Sequence, residues 1–300
     1  MEHLLVILIL FAWGIAGIFD KKAVQTNTGK TVFATFHLFN VPLLVFLFTM
    51  LTLGGSWTLN HQLLFWQSLS GLCGISAVLL YLLAMSKTEA SYVIGITAGY
   101  PVISQLLAVP LLGEKLSLWG LTSAALVGLG VALIGSSARS SSPAGIKDAT
   151  TPGLSSKQLA GVLITVLTAT LFWGAIGVFE KKAVSYGKPL EAYFAESMWE
   201  LIFALIALGI FTLQKTPLHL RKFATWKFSW LSALGVAIGN YLVLILFSRE
   251  TASYAIVITA CYPLIMYFAA LIWLGERLNK VRLLGIVLVI VGGVLCELLR

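Results

Sequence analysis

The sequence predicts an all-α polytopic membrane protein: ten transmembrane helices arranged as two inverted five-helix repeats around a central cavity. Three observations predict it. The chain is 59% hydrophobic and only 11% charged, against about 45–50% and 25% in soluble domains. Its apolar residues fall into ten stretches of near-spanning length. Two peptide motifs each occur twice, at nearly the same offset.

A bilayer core about 30 Å thick needs about 20 apolar residues per helix. In order, the stretches are 4–24, 32–53, 63–85, 92–112, 118–135, 159–179, 190–213, 229–247, 252–274 and 281–299. Glu2 and His3 precede the first, where a signal peptide carries a basic segment, and nine more follow, so it reads as a span of the mature protein. The fourth and ninth carry Tyr100-Pro101 and Tyr262-Pro263 near their middles, where proline removes a backbone donor and clashes with the preceding turn. A kink is expected at each, with carbonyls left free. Between the fifth and sixth lies the polar segment 136–156, SSARSSSPAGIKDATTPGLSS, which reads as a flexible linker. Loops elsewhere are a few residues long. Trp57, Trp119, Trp226 and Trp273 sit near span ends, where Trp anchors a helix at the interface.

The net charge of +8 suggests nucleic acid in a soluble domain. Here the basic residues sit at helix ends and in loops, which points to membrane orientation and not to a nucleic-acid partner. Cys73, Cys261 and Cys296 all fall inside spans, giving neither a disulfide framework nor metal-ligand spacing. No Gly-Lys-Ser/Thr phosphate loop, metal cluster or nucleophile signature occurs, which argues against an ATP-driven pump, a membrane enzyme and a bound cofactor.

The duplication is explicit. WGIAGIFDKKAV at 13–24 matches WGAIGVFEKKAV at 173–184, and ASYVIGITAGYP at 90–101 matches ASYAIVITACYP at 252–263. Gly113-Glu114-Lys115-Leu116 likewise matches Gly275-Glu276-Arg277-Leu278. The first half is 1–135 and the second 157–300. Five spans per half is an odd number, so the second half enters the membrane from the opposite side. Such inverted repeats supply two related states and place a site near the midplane where the halves meet.

At these residues the sequence resembles the EamA family of the drug/metabolite transporter superfamily. The Trp-Gly pair of spans 1 and 6, the Ala-Ser-Tyr start and Tyr-Pro kink of spans 4 and 9, and the closing Leu-Gly-Glu-Lys/Arg-Leu carry the resemblance. It covers nearly the whole chain except the linker. It implies a secondary transporter working by alternating access on a small organic metabolite such as an amino acid, an amine or a drug-like compound. A sugar or nucleotide-sugar carrier of the same fold, and a non-transporting receptor or channel, are the alternatives. The partners implied are that substrate, a coupling proton or ion, and the bilayer of the cell's inner (plasma) membrane. One feature departs from the family habit of cytoplasmic termini. Of 20 Lys and Arg residues, only Lys115, Lys181, Lys182, Lys188, Arg249 and Arg300 fall on the side of the termini, so the positive-inside rule places the termini outside.

Candidate functional residues follow from polarity at depth. Glu196 and Glu200, one turn apart and so on one helix face, are the deepest acids. At offset 160 Glu200 stands against Asn40 and Ser197 against His37, so spans 2 and 7 carry corresponding polar faces. The expectation is that this band lines a water-filled cavity where Glu196 or Glu200 binds a cationic group or a coupling proton. Thr97, Tyr100, Thr259 and Tyr262, beside the freed carbonyls, are candidates for substrate contact or simply mark structural kinks. Trp13 and Trp173 lie mid-span and either offer a face for cation–π contact or fill space between helices. Asp20-Lys21-Lys22 and Glu180-Lys181-Lys182, at opposite membrane faces, are either alternating ion-pair gates or lysines that snorkel to the headgroups. Glu114 and Glu276 read as turn residues between a glycine that ends one helix and the cap of the next.

Overall fold

The computed structural model describes residues 2–55, 57, 59–87, 93, 96–97, 99–115, 117–136, 156–274 and 280–296. Among them every regular element is helical. The first half contains α1 (Glu2–Thr26), α2 (Gly29–His37), α3 (Asn40–Leu53), α4 (His61–Met85), α5 (Tyr100–Leu112) and α6 (Leu118–Ser136). The second contains α7 (Ser156–Val184), α8 (Pro189–Leu213), α9 (Phe223–Phe247), α10 (Ala252–Thr259), α11 (Tyr262–Leu274) and α12 (Lys280–Cys296). Among the described residues, six stretches are long and apolar enough to cross a membrane: α1, Gly29–Leu53, α4, Ala160–Val184, α8 and α9. Four shorter apolar helices lie over Tyr100–Leu112, Leu118–Leu133, Ala252–Met266 and Leu283–Leu295. Most of the linker lies outside the described residues.

Three apolar stretches are broken, each one turn before a proline. In the second, α2 ends at His37 and α3 resumes at Asn40. Pro42 has no N–H and its ring meets the carbonyl four residues back, that of Leu38. Shorter bonds bridge the break, with Val41 N–H donating to the Leu38 carbonyl at 3.3 Å. Pro263 separates α10 from α11 in the same way, and the Cys261 N–H reaches only to Ile258, at 3.3 Å. Pro101 does so at the head of α5, where the Gly99 N–H bonds to Ile96 at 3.2 Å. Two of these breaks are expected from Tyr100-Pro101 and Tyr262-Pro263; the second stretch, expected to be one continuous span over 32–53, is broken as well.

Glycines let the helices approach. α1 packs on α9 and α11, and α7 packs on α4 and α5. A Cβ at Gly14 would lie 2.7 Å from Ile265 Cβ, and one at Gly174 would lie 2.6 Å from Ile103 Cγ2. The two glycines are 160 positions apart and the two isoleucines 162, so the packing repeats with the motif offsets. α6 and α12 pair through Gly130, whose Cβ would meet the Gly285 carbonyl at 2.6 Å, and through the Ser123 hydroxyl, which donates to the Gly292 carbonyl. Large apolar side chains such as Leu4, Phe46, Leu129, Ile164, Ile206 and Val294 are exposed on the outside. An outer surface of this kind suits a lipid solvent.

Glu114 departs from its expected role. Gly113 closes α5 with φ 71, the left-handed conformation anticipated for a C-terminal glycine. The Glu114 carboxylate, however, reaches into the second half. It accepts from the backbone N–H groups of Ala252 (2.7 Å) and Ser253 (3.1 Å) and from the Ser253 hydroxyl (2.5 Å). It thereby caps α10, whose positive end favours an anion. Its repeat partner Glu276 lies outside the described residues.

Candidate functional site

A cavity of about 220 Å³ lies between the halves. Its charged lining consists of Asp20 on α1, Glu180 on α7, and Glu196 and Glu200 on α8. No Lys or Arg lines it among the described residues. The rest is aromatic and amide: Trp13, Trp173, Tyr81, Tyr100, Tyr193, Tyr262, Asn40 and Asn240, with Thr97 and Thr259 beside the proline breaks.

Local chemistry fixes each group. The Asn40 side-chain amide donates to Glu200 Oε2 at 3.2 Å. These residues are 160 positions apart, the offset of the internal repeat. Glu180 and Glu196 both turn their side chains to this space. Asp20 accepts from the Ser232 hydroxyl at 2.7 Å. The Trp13 indole N–H donates to Asn240 Oδ1 at 3.1 Å, and its ring meets Tyr262 edge-on at 5.8 Å. Gly239 makes room for that indole: a Cβ there would lie 2.3 Å from Trp13 Nε1. Trp173 meets Tyr81 edge-on at 5.0 Å. Tyr100 and Thr259, one beside each broken helix, both line the cavity.

The structure thus gathers Trp13, Asp20, Asn40, Thr97, Tyr100, Trp173, Glu180, Glu196, Glu200, Thr259 and Tyr262 around one space. It leaves out His37, Lys21, Lys22, Lys181 and Lys182. His37 is 1% exposed and packs between Phe33 and Phe36, with ring centroids 4.5 and 4.9 Å away. Phe36, its neighbour, lines the cavity in its place. At offset 160 Phe36 is the counterpart of Glu196, so the lining positions are 36 and 40, and the polar match of His37 with Ser197 lies beside them. The lysines face elsewhere. Lys181 donates to the carbonyls of Phe247 and Glu250 at 2.5 and 2.7 Å, gripping the end of α9, and Lys22 sits 5.7 Å over the Phe228 ring. Sequence reasoning missed Tyr81, Tyr193 and Asn240. Asn240, an amide in the interior of an otherwise apolar span, carried the one signal that marks it.

With this geometry in place, the family comparison is decisive. The sequence matches the EamA-like transporter family over residues 1–136 and again over 160–296. The chain belongs to that family. As a member of the drug/metabolite transporter superfamily it is a multi-pass integral membrane protein that transports a small molecule. No curated protein matches the sequence. A protein of known crystal structure is similar in fold, with TM-score 0.73 at 14% identity over 99% of this chain and 96% of that one. At that identity the likeness speaks for the fold of this EamA-like transporter alone.

Proposed function

We propose that this transporter is a secondary, alternating-access carrier of small organic cations, amines or cationic amino acids, in the cell's inner membrane. Its ten spans would form two inverted repeats, 1–135 and 157–300, joined by the linker 136–156. The observation that carries the reading is the lining: four carboxyl side chains and no Lys or Arg among the described residues. An ionised acid at membrane depth is costly without a partner. A buried cluster of acids therefore holds cations, either an ammonium group or protons, and favours exchange of one for the other. Trp13 and Trp173 add ring faces that attract a cation.

The Asn40–Glu200 bond supports the placement of the site. Equivalent positions of two repeats touch each other only close to the axis that relates them, and in inverted repeats the substrate site lies there. In this reading Glu196 and Glu200 bind the ammonium group, Asn40 orients Glu200, and Asp20 and Glu180 receive the cation from the two sides. The lysines at those ends serve as anchors, since none faces the cavity.

Counterflow in sealed proteoliposomes tests this. With radiolabelled ethanolamine as the first probe, and lysine, glucose and glutamate in the same panel, unlabelled amine inside should stimulate uptake of label. Acidification should suppress it, because protons compete for the same carboxyls. Glu200→Gln should abolish exchange in protein that still purifies as a folded species. Exchange of glucose or glutamate in preference to the amines would refute the proposal, as would binding without flux.

A further inference from the structure

Behind the Glu180–Glu196 pair, away from the cavity, lies a second polar feature that transport of the cation does not use. Gln67 is fully buried on α4, and neither its amide nitrogen nor its oxygen has a protein partner. Ser70 Oγ, Glu196 Oε2 and the indole nitrogens of Trp66 and Trp199 are buried without partners as well. Gln67 and Ser70 are not among the cavity-lining residues.

Two helix registers bring these atoms to one level. Against α8, Leu63 lies against position 187, and a Cβ at Gly71 would lie 3.1 Å from Trp199 Cβ. Gln67, between them on the same α4 face, is therefore level with residues 193–195, within one helical turn of Glu196. Against α7, which runs antiparallel, Trp66 meets Phe179 with ring centroids 5.9 Å apart and Tyr81 meets Trp173 at 5.0 Å, so Gln67 stands near the level of Val178, within one helical turn of Glu180. Both registers bring Gln67 within about one turn of Glu180 and Glu196.

The chemistry of the orphaned atoms selects what belongs there. A metal cation would satisfy Gln67 Oε1, Ser70 Oγ and Glu196 Oε2 but leave three donor nitrogens, those of Gln67, Trp66 and Trp199, unpaired. Water, which donates and accepts, satisfies all of them, and buried polar atoms without protein partners are where internal water binds. We infer that ordered water occupies the α4–α7–α8 seam, joins Gln67 to Glu196, and serves as the route by which Glu196 exchanges its proton away from the substrate cavity. The inference rests on the carboxyl role proposed above. The step is a proton transfer alone: a hydrated proton passes along the waters to a Glu196 carboxylate oxygen and leaves neutral water behind. Glu180 from α7, and Glu200 and Tyr193 from α8 itself, are the titratable groups facing Glu196. α4 brings Trp66, Gln67 and Ser70 to this level, Asn40 at the start of α3 bonds Glu200, and α9 presents Tyr241, which packs on Tyr193.

Infrared spectroscopy of the protein in lipid nanodiscs, transferred from H2O to D2O, tests this without any substrate. The protonated-carboxyl band is assigned to Glu196 by its loss in Glu196→Gln. The wild-type band should lie at the frequency of a hydrogen-bonded acid and exchange quickly. Gln67→Leu should move it towards a free acid and slow exchange roughly tenfold, the rate equivalent of one lost hydrogen bond to a charged group. Ser70→Ala should act in the same direction, and Gln67→His, which keeps a donor and an acceptor, should retain fast exchange. If Gln67→Leu does not fold, the other two variants carry the test. Band position and exchange unchanged in the leucine and alanine variants overturn the inference. Failure of amine counterflow with fast carboxyl exchange intact would instead overturn the proposed substrate.

Discussion

Replacing Gly174 with alanine puts the packing logic to a quantitative test. A Cβ at this position would lie 2.6 Å from Ile103 Cγ2, 2.7 Å from Ile103 Cβ and 3.2 Å from the Tyr100 carbonyl oxygen. Ordinary carbon contacts are about 3.5–4.0 Å, so α7 and α5 must separate by about 1 Å. The obstacle is a branched carbon and a backbone atom, neither of which can swing aside. Overpacking of this kind costs about 1–3 kcal/mol, and the better helix propensity of alanine returns up to about 1 kcal/mol. The expected net loss is about 1–2 kcal/mol, measured by reversible denaturant unfolding in mixed micelles. Trp173 is the neighbouring residue and Tyr100 supplies the opposing carbonyl, so the same displacement should widen the cavity and slow counterflow. Ile103→Ala in the same chain removes the Cγ2 branch and should recover at least about 0.5 kcal/mol as coupling, well above additivity error. A Gly174→Ala variant as stable and active as wild type, or one uncoupled from Ile103, would refute the reasoning.

Two further outcomes follow from single contacts. Glu114→Ala removes the carboxylate that caps α10. It should cost about 1 kcal/mol, and amide exchange at Ala252 and Ser253 should rise several-fold by mass spectrometry; unchanged protection there would count against the cap. Asn40→Ala with Glu200→Gln in a double-mutant cycle should give a coupling of about 0.6–1.7 kcal/mol, the range for hydrogen bonds between membrane helices. A coupling near zero would mean that the 3.2 Å contact does not hold Glu200 in place.

Much of the fold was legible because its signals are local. Apolar stretches mark where lipid must be the solvent, and proline marks where a helix cannot continue. Pro101 and Pro263 were read this way. Pro42 followed the same rule and was overlooked because the run around it, Val41 to Phe48, is uniformly apolar, so that nothing else announced the break. The acids of α8 were legible as well, since a carboxyl inside an apolar span stands out in any window. Asp20 and Glu180 were noticed only together with the lysines beside them, and the structure separates the two: the carboxyls turn inward and the lysines turn away.

By itself the sequence determined the number and length of the apolar stretches, the duplication, two of the three breaks and the identity of the deep acids. Each depends on neighbouring residues or on the match between halves. Only the tertiary structure decided which side chains meet: Asn40 with Glu200, Trp13 with Asn240, Glu114 with the start of α10, and Phe36 in the place expected of His37. In water, a helix announces its inner face by contrast with a polar outer one. In lipid both faces are apolar, so away from polar residues such as Glu196 and Glu200 rotation about a helix axis leaves little mark in the sequence and is settled by where glycines such as Gly14, Gly174 and Gly239 let another helix come close.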